Sequence, residues 1–360
     1  MYYVKKISQL LFPRDHFPDH FRSLDGLRGF ALVIVLLSHS SRFGLQESIN
    51  LEHTGFMALY LFFVLSSYLL DRQIISSLIR KRVSHRYWLN YALRRFLRIY
   101  PVYVLALLLN EYLSRQGNDI AIFLAPGELL NHLLLQQGNV VFWSIPVEFT
   151  YYILSPFLML FFHYIVKWKH KQILLVILSL SLLSVLSNFL IDYGRTSVFK
   201  YLSIFLAGSY IAYLDLFYQE DVKRIILNNR TGIFVFCILS VIMCVLMVPT
   251  VFNSIAGTSI NSFNHPVIFM PVAIMWSCLL LLCRNKFSFI TRIFELKWLR
   301  LLGIISYSVY LFHVPFFNFF SNGSSGDLLN FILAITSVCG LGIMLFFFFE
   351  RHLAKIRIKT

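Results

Sequence analysis

The chain has 360 residues, of which 58% are hydrophobic and only 14% charged, and its formal net charge is +15. A soluble globular protein carries about 25% charged residues, so this composition excludes a water-soluble globule. Long apolar runs recur from end to end, which excludes a membrane barrel with its short alternating strands and points to a polytopic helical membrane protein.

Residues 1–26 are polar and aromatic, with Lys5, Lys6, Arg14 and Arg22. They lack an apolar core followed by a small-residue cleavage site, so no cleaved signal peptide is expected. Ten apolar runs follow, each long enough to cross a bilayer with some tilt. They cover residues 27–43, 54–71, 99–113, 146–166, 173–191, 198–217, 232–250, 266–283, 301–319 and 328–349. The expectation is an all-α bundle of about ten transmembrane helices over 27–349. Both termini are placed in the cytoplasm, and a basic tail occupies 350–360. With that orientation 28 of the 32 Lys and Arg lie inside, as the positive-inside rule demands. Arg42, Arg115, Arg195 and Lys200 are left outside. The positive charge then faces anionic membrane lipid, and no nucleic-acid partner is needed to explain it. The five cysteines lie in or at the edge of apolar runs, so neither disulfides nor a metal site is expected.

The first span carries Arg28 and His39 with nothing charged between them. Ionisable residues inside apolar spans are costly and mark function by default. Eleven helical positions turn through about 1100°, three turns and about 20°, so both side chains leave one face about 16 Å apart. Arg28 alone reads equally as an edge cation snorkelling to lipid phosphates; the pair on one face favours a role in chemistry, with His39 as a base near neutral pH.

In the second span, Ser66 and Ser67 read as helix-packing residues. Arg94, Arg95 and Arg98 at the start of the third read as topology determinants or as an anion site, since guanidinium forks match phosphate oxygens. Glu148 follows Pro146 in the first turn of the fourth span, near the positive end of the helix dipole. It lies on the same outer side as His39, and the two could meet. In the ninth span His313 lies in the outer half with Tyr310 three residues earlier on the same face. A structural alternative for His313 is a bond to a backbone carbonyl freed near Pro315. No phosphate-binding glycine loop, metal-ligand cluster or nucleophile elbow is present.

Five segments, in order, resemble the acyltransferase-3 family of membrane-bound acyltransferases that modify bacterial surface sugars. They are Leu24-Asp25-Gly26-Leu27-Arg28-Gly29 through to His39; Phe62-Phe63-Val64-Leu65-Ser66; Arg94-Arg95-Phe96-Leu97-Arg98-Ile99-Tyr100-Pro101; Trp143-Ser144 through Glu148 to Tyr151, Tyr152 and Pro156; and Gly303 through Ser306-Tyr307-Ser308 and Tyr310 to His313 and Pro315. The chain departs from the family at Met57-Ala58-Leu59 and at Ser67-Tyr68.

The resemblance implies an O-acyltransferase of the bacterial inner membrane. It would move an acetyl group from cytoplasmic acetyl-CoA to a sugar hydroxyl of an envelope polysaccharide, such as a lipopolysaccharide O-antigen, or its lipid-linked precursor. Arg28, Arg94, Arg95 and Arg98 would bind the donor's phosphates. His39 would be the base or a covalent acyl carrier, and Glu148 would orient it or bind the sugar. Tyr310 and His313 would donate to the developing oxyanion, and Trp143 and Tyr151, as exposed aromatics, would stack on the sugar. Besides membrane lipid and the saccharide acceptor, it leaves room for polysaccharide-biosynthesis proteins as partners. Two rivals stand beside this reading. One is a glycolipid flippase or proton-coupled transporter using the interior histidines as a relay. The other is a transferase of another acyl group such as succinyl, which calls for a cation in the outer half that the sequence does not firmly supply. Oligomeric state is not legible.

Overall fold

Apolar runs in a bilayer must satisfy every backbone N–H and C=O internally, and the helix does so within one segment. A computed structural model of the chain describes residue 12 and residues 20–45, 50–117, 119–125, 127–260, 264–285, 288–321 and 328–358, and among these no strand occurs. The expectations for Lys5, Lys6 and Arg14 fall outside the described residues.

In chain order the helices are α1 (Arg22–Arg42), α2 (Gly55–Ile79), α3 (His85–Arg115), α4 (Glu128–Leu133), α5 (Ser144–Tyr164), α6 (His170–Leu190), α7 (Val198–Phe217), α8 (Gln219–Asn228), α9 (Arg230–Leu246), α10 (Pro249–Ala256), α11 (Pro266–Arg284), α12 (Ser288–Phe294), α13 (Lys297–Ser321) and α14 (Leu328–Leu345). A π-helical turn, Phe346–Glu350, and α15 (Arg351–Leu353) follow. Seven of the described helices are long and apolar enough to cross a membrane, or nine if the bent pairs α7–α8 (98°) and α9–α10 (90°) each count as one span. The chain is therefore a multi-pass membrane protein. These nine coincide with nine of the ten expected runs. The tenth, 99–113, is the second half of the 31-residue α3, whose first half carries the arginines and which is not among the nine.

Lipid supplies no hydrophobic drive between helices, so close backbone approach does the work. Three glycines let α1 lie directly on α12 and α13. A Cβ at Gly29 would stand 1.8 Å from the Leu299 carbonyl oxygen, one at Gly303 the same distance from the Asp25 oxygen, and one at Gly26 the same from the Phe294 oxygen. Gly208 of α7 likewise sits on α2, where a Cβ would be 2.4 Å from the Val64 oxygen.

Among the described residues, buried polar clusters tie the bundle, and two of them centre on aspartates. Asp215 of α7 pairs with Arg72 of α2 at 2.7 Å and Arg284 of α11 at 2.9 Å, and accepts the Tyr68 hydroxyl at 3.0 Å. Both guanidiniums also lie over the Phe21 ring. Asp71 of α2 is fully buried and accepts from Tyr151 at 2.7 Å and from Ser155. Pro156 has no N–H to offer the Tyr152 carbonyl one turn back, and the Tyr91 hydroxyl takes that carbonyl at 2.7 Å.

The loop between α3 and α5 is held on α3 by its own hydrogen bonds. Tyr100 and Tyr103 donate to the carbonyls of Leu133 and His132, both at 2.9 Å, and Asn110 accepts the Ile122 N–H at 2.8 Å. Buried His132 donates from Nδ1 to the Glu128 carbonyl and accepts the Asn139 N–H, which fixes the stretch that leads to Val141 and Trp143.

Candidate active site

The glycine contact sets the site. Gly29 meets Gly303, and ten residues further along each helix His39 meets His313, so α1 and α13 run parallel at this interface. The two imidazoles are joined by a 2.8 Å bond between His39 Nδ1 and His313 Nε2. His313 Nδ1 lies 2.7 Å from the Tyr310 backbone carbonyl. A carbonyl can only accept, so His313 Nδ1 carries the hydrogen. With both rings neutral, His313 Nε2 is then an acceptor and His39 Nδ1 the donor to it. This leaves a lone pair on His39 Nε2, which has no hydrogen-bond partner among the described residues. The bond to a backbone carbonyl and the role beside His39 thus use different nitrogens of His313.

His39 lines a cavity of about 350 Å³ together with Arg42, Trp143, Arg195, Asn264 and Tyr310. The start of α2 is pinned to α1 here, where the Gly55 N–H donates to Ser38 Oγ at 3.0 Å. Tyr310 donates its hydroxyl hydrogen to the Val141 carbonyl at 2.6 Å and lies 3.0 Å from Ser144 Oγ, so the α3–α5 loop forms one wall. Arg195, on the loop between α6 and α7, places its guanidinium over the rings of Phe56 at 5.4 Å and Trp143 at 5.0 Å. Burial lowers the pKa of that guanidinium from its ordinary value, and the adjacent Arg42 charge acts in the same direction.

Several expected residues lie elsewhere. Glu148 does not meet His39: its Oε1 accepts from Ser66 at 2.6 Å and from Tyr152, and His313 takes the orienting position instead. Ser66 therefore has a polar partner, while Ser67 bonds back to the Phe63 carbonyl as a packing residue does. Trp143 and Tyr151 are not exposed stacking platforms; they are 1% and 0% exposed. The Trp143 ring packs against Phe63 and Tyr201 and carries Arg195, and Tyr151 stacks on Phe205 at 4.2 Å away from the cavity. His313 in this tautomer has no hydrogen left for an oxyanion.

The four arginines do not line the cavity of His39. Arg95 donates to Gln73 at 2.9 Å and lies over Tyr91 and Tyr152, which ties it to the Glu148 cluster; Arg94 is half-buried and Arg98 exposed. Arg28 is half-buried on α1, on the far side of His39 from Arg42.

Sequence reasoning did not single out Asp71, Arg195 or the Val141 carbonyl. Asp71 had a signal, as the carboxylate that closes the second apolar run. Arg195 had none, because a loop arginine outside the apolar runs looks like any other.

The chain matches the model of the acyltransferase-3 family, described as an acyltransferase domain, over residues 21–351. It is 24% identical over 336 residues to the peptidoglycan O-acetyltransferase OatA of Listeria monocytogenes, covering 81% of this chain and 49% of that protein. It is 31% identical over 121 residues to "Protein 2 in picA locus" of Rhizobium radiobacter, covering 31% of this chain and 60% of that one. The chain thus spans only about half to three-fifths of the length of these relatives. No solved structure matches the chain. The family match takes in the α1–α13 interface, both histidines and the whole helical bundle, and on that extent the chain belongs to the acyltransferase-3 family.

Proposed function

We propose that the protein is an O-acyltransferase of a bacterial inner membrane that transfers an acetyl group from cytoplasmic acetyl-CoA to a sugar hydroxyl of an envelope polysaccharide or its lipid-linked precursor. Family membership supports acyl transfer, and the likeness to the Listeria peptidoglycan O-acetyltransferase supports acetyl and a glycan acceptor. The observation that carries the reading is the hydrogen-bonded chain from the Tyr310 carbonyl through His313 to His39, which leaves the His39 Nε2 lone pair unpartnered at the cavity wall.

In this mechanism the sugar hydroxyl gives its proton to His39 Nε2 as its oxygen attacks the thioester carbonyl carbon. The tetrahedral intermediate collapses, the C–S bond breaks, and the thiolate leaves with the proton returned from His39. The imidazolium formed in between is stabilised by His313 Nε2, which accepts the Nδ1–H bond, and the Tyr310 carbonyl holds His313 in the tautomer that can accept. Arg94 and Arg98, at the surface of α3, meet the donor phosphates with Arg28. Arg95 and Glu148 keep α2, α3 and α5 in register around the path of the donor. Trp143 and Tyr310 wall the acceptor pocket.

The test compares envelope glycans of a deletion strain and its parent by mass spectrometry. Acetyl mass units should disappear on deletion and return with the wild-type chain but not with His39→Ala, inserted at equal level. Full acetylation restored by His39→Ala rejects the assignment of His39. Purified protein that moves a glycolipid across vesicles without consuming acetyl-CoA favours transport instead.

A further inference from the structure

We infer that Arg42 and Arg195 form an anion subsite beside His39 that recognises a carboxylate or phosphate carried by the acceptor sugar. The inference rests on the acyltransferase reading only for what the anion is attached to. Both residues line the cavity that holds His39. Elsewhere in the chain arginines find carboxylates: Arg72 and Arg284 share Asp215, and Arg115 pairs with Glu111 at 2.7 Å. Among the described residues no carboxylate pairs with Arg42 or Arg195. The carboxylate that does line the cavity, Glu52, lies 3.4 Å from His53. Two like charges side by side are unfavourable, and an anion between them relieves the repulsion.

The geometry of Arg195 fits this use. Its guanidinium is fixed over Phe56 and Trp143, so little freedom is lost on binding, and a planar guanidinium matches a carboxylate or phosphate through two parallel hydrogen bonds. Position assigns the anion to the acceptor. Arg42 lies three residues beyond His39 on α1, whereas Arg28, expected at the donor's end, lies eleven residues before it. Phosphates of a donor held at Arg28 therefore lie on the opposite side of the imidazole from Arg42 and Arg195.

The test is calorimetric binding of matched disaccharides to the full chain in lipid nanodiscs: one neutral, one bearing a uronic carboxylate and one bearing a phosphate monoester. One acidic form should bind about tenfold more tightly than the neutral one, the usual worth of a charged hydrogen bond, and which acid it is identifies the source of the anion. The preference should vanish in Arg195→Gln and in Arg42→Gln and persist in His39→Ala. Arg42 is exposed and its side chain makes no hydrogen bond among the described residues, so its variant reports on charge even where Arg195→Gln disturbs the aromatic wall. Equal binding of all three sugars, or a preference that survives both arginine substitutions, overturns the subsite. Succinyl-CoA consumed by the wild-type chain but not by the arginine variants, with sugar preference intact, moves the anion to the acyl group and overturns its assignment to the acceptor. If His39→Ala keeps full acyl transfer while the preference still depends on Arg195, the catalytic reading fails and the subsite stands.

Discussion

The aspartate layer and the histidine layer of this bundle both bury polar groups, and they differ in whether each charge or base is met by a partner from the chain. In the aspartate layer Asp215 has two guanidiniums and a tyrosine hydroxyl, and Asp71 has Tyr151 and Ser155. Each charge there has an opposite charge or a hydroxyl from within the chain beside it. In the histidine layer the bonds run from the Tyr310 carbonyl through His313 to His39 and stop at a bare nitrogen beside a cavity, with two guanidiniums that lack counter-ions among the described residues. Burial of charge alone does not mark a site; an unfilled valence facing open space does. The aspartate layer holds helices together, and the histidine layer is left to hold something else.

The comparison can be broken by mutation. The largest effect is expected for His39→Ala, which removes the base and should lower kcat/KM for acyl transfer by about 10²–10⁴-fold while leaving unfolding in detergent unchanged. Asp215→Ala should do the reverse. It strands two buried guanidiniums, and loss of one partner of a buried pair costs about 3–5 kcal/mol, read by chemical unfolding in detergent, with transfer per folded molecule retained. If instead Asp215→Ala abolished transfer at full stability, the two layers would not be separable in this way.

A smaller effect sharpens the contrast. His313→Ala leaves His39 Nδ1 without its acceptor and the ring free to turn, and a misplacement on the order of 1 Å costs about 10²-fold in rate. Its pH–rate profile should also change, because the imidazolium at His39 loses the ring that accepts its N–H. A residue that only packs would lower the yield of folded protein and leave the profile alone.

The smallest effect concerns the loop that walls the cavity. The Ala125 N–H, Gln137 and Asn139 all donate to the Glu128 carboxylate and hold its pKa below the ordinary value. A carboxyl with a depressed folded pKa contributes stability above its unfolded pKa and loses it as pH falls through the folded one. Protection of the Ala125 amide from hydrogen exchange, relative to the unstructured rate at the same pH, should therefore stay high at neutral pH and fall only on the acid side, and Glu128→Gln should show low protection already at neutral pH.

Much of the fold was legible because membrane helices are specified locally. A segment's hydropathy decides whether it can sit in lipid, and nine expected runs coincide with helices or bent pairs that qualify. The boundaries were less so. The second apolar run ends at Asp71, a polar residue, yet α2 continues to Ile79 because Tyr151 and Ser155 on α5 satisfy that carboxylate. Within the site, the spacing of Arg28 and His39 singled out α1. The partner of His39 is not legible in the same way: the sequence offers Glu148 to orient it, and the fold puts His313 there.

By itself the sequence determined that this is a helical membrane protein, which segments are apolar enough to cross, and that the motifs of one family run along it, since hydropathy and motif spacing are properties of neighbours in the chain. Only the tertiary structure decided that His39 bonds a ring 274 residues away, that Trp143 is walled in beneath Arg195, and that Arg42 and Arg195 share one cavity. Those facts follow from how closely the glycines let α1 approach α13 and from where a loop folds back, and such contacts depend on three-dimensional distance, which spacing along the chain does not encode.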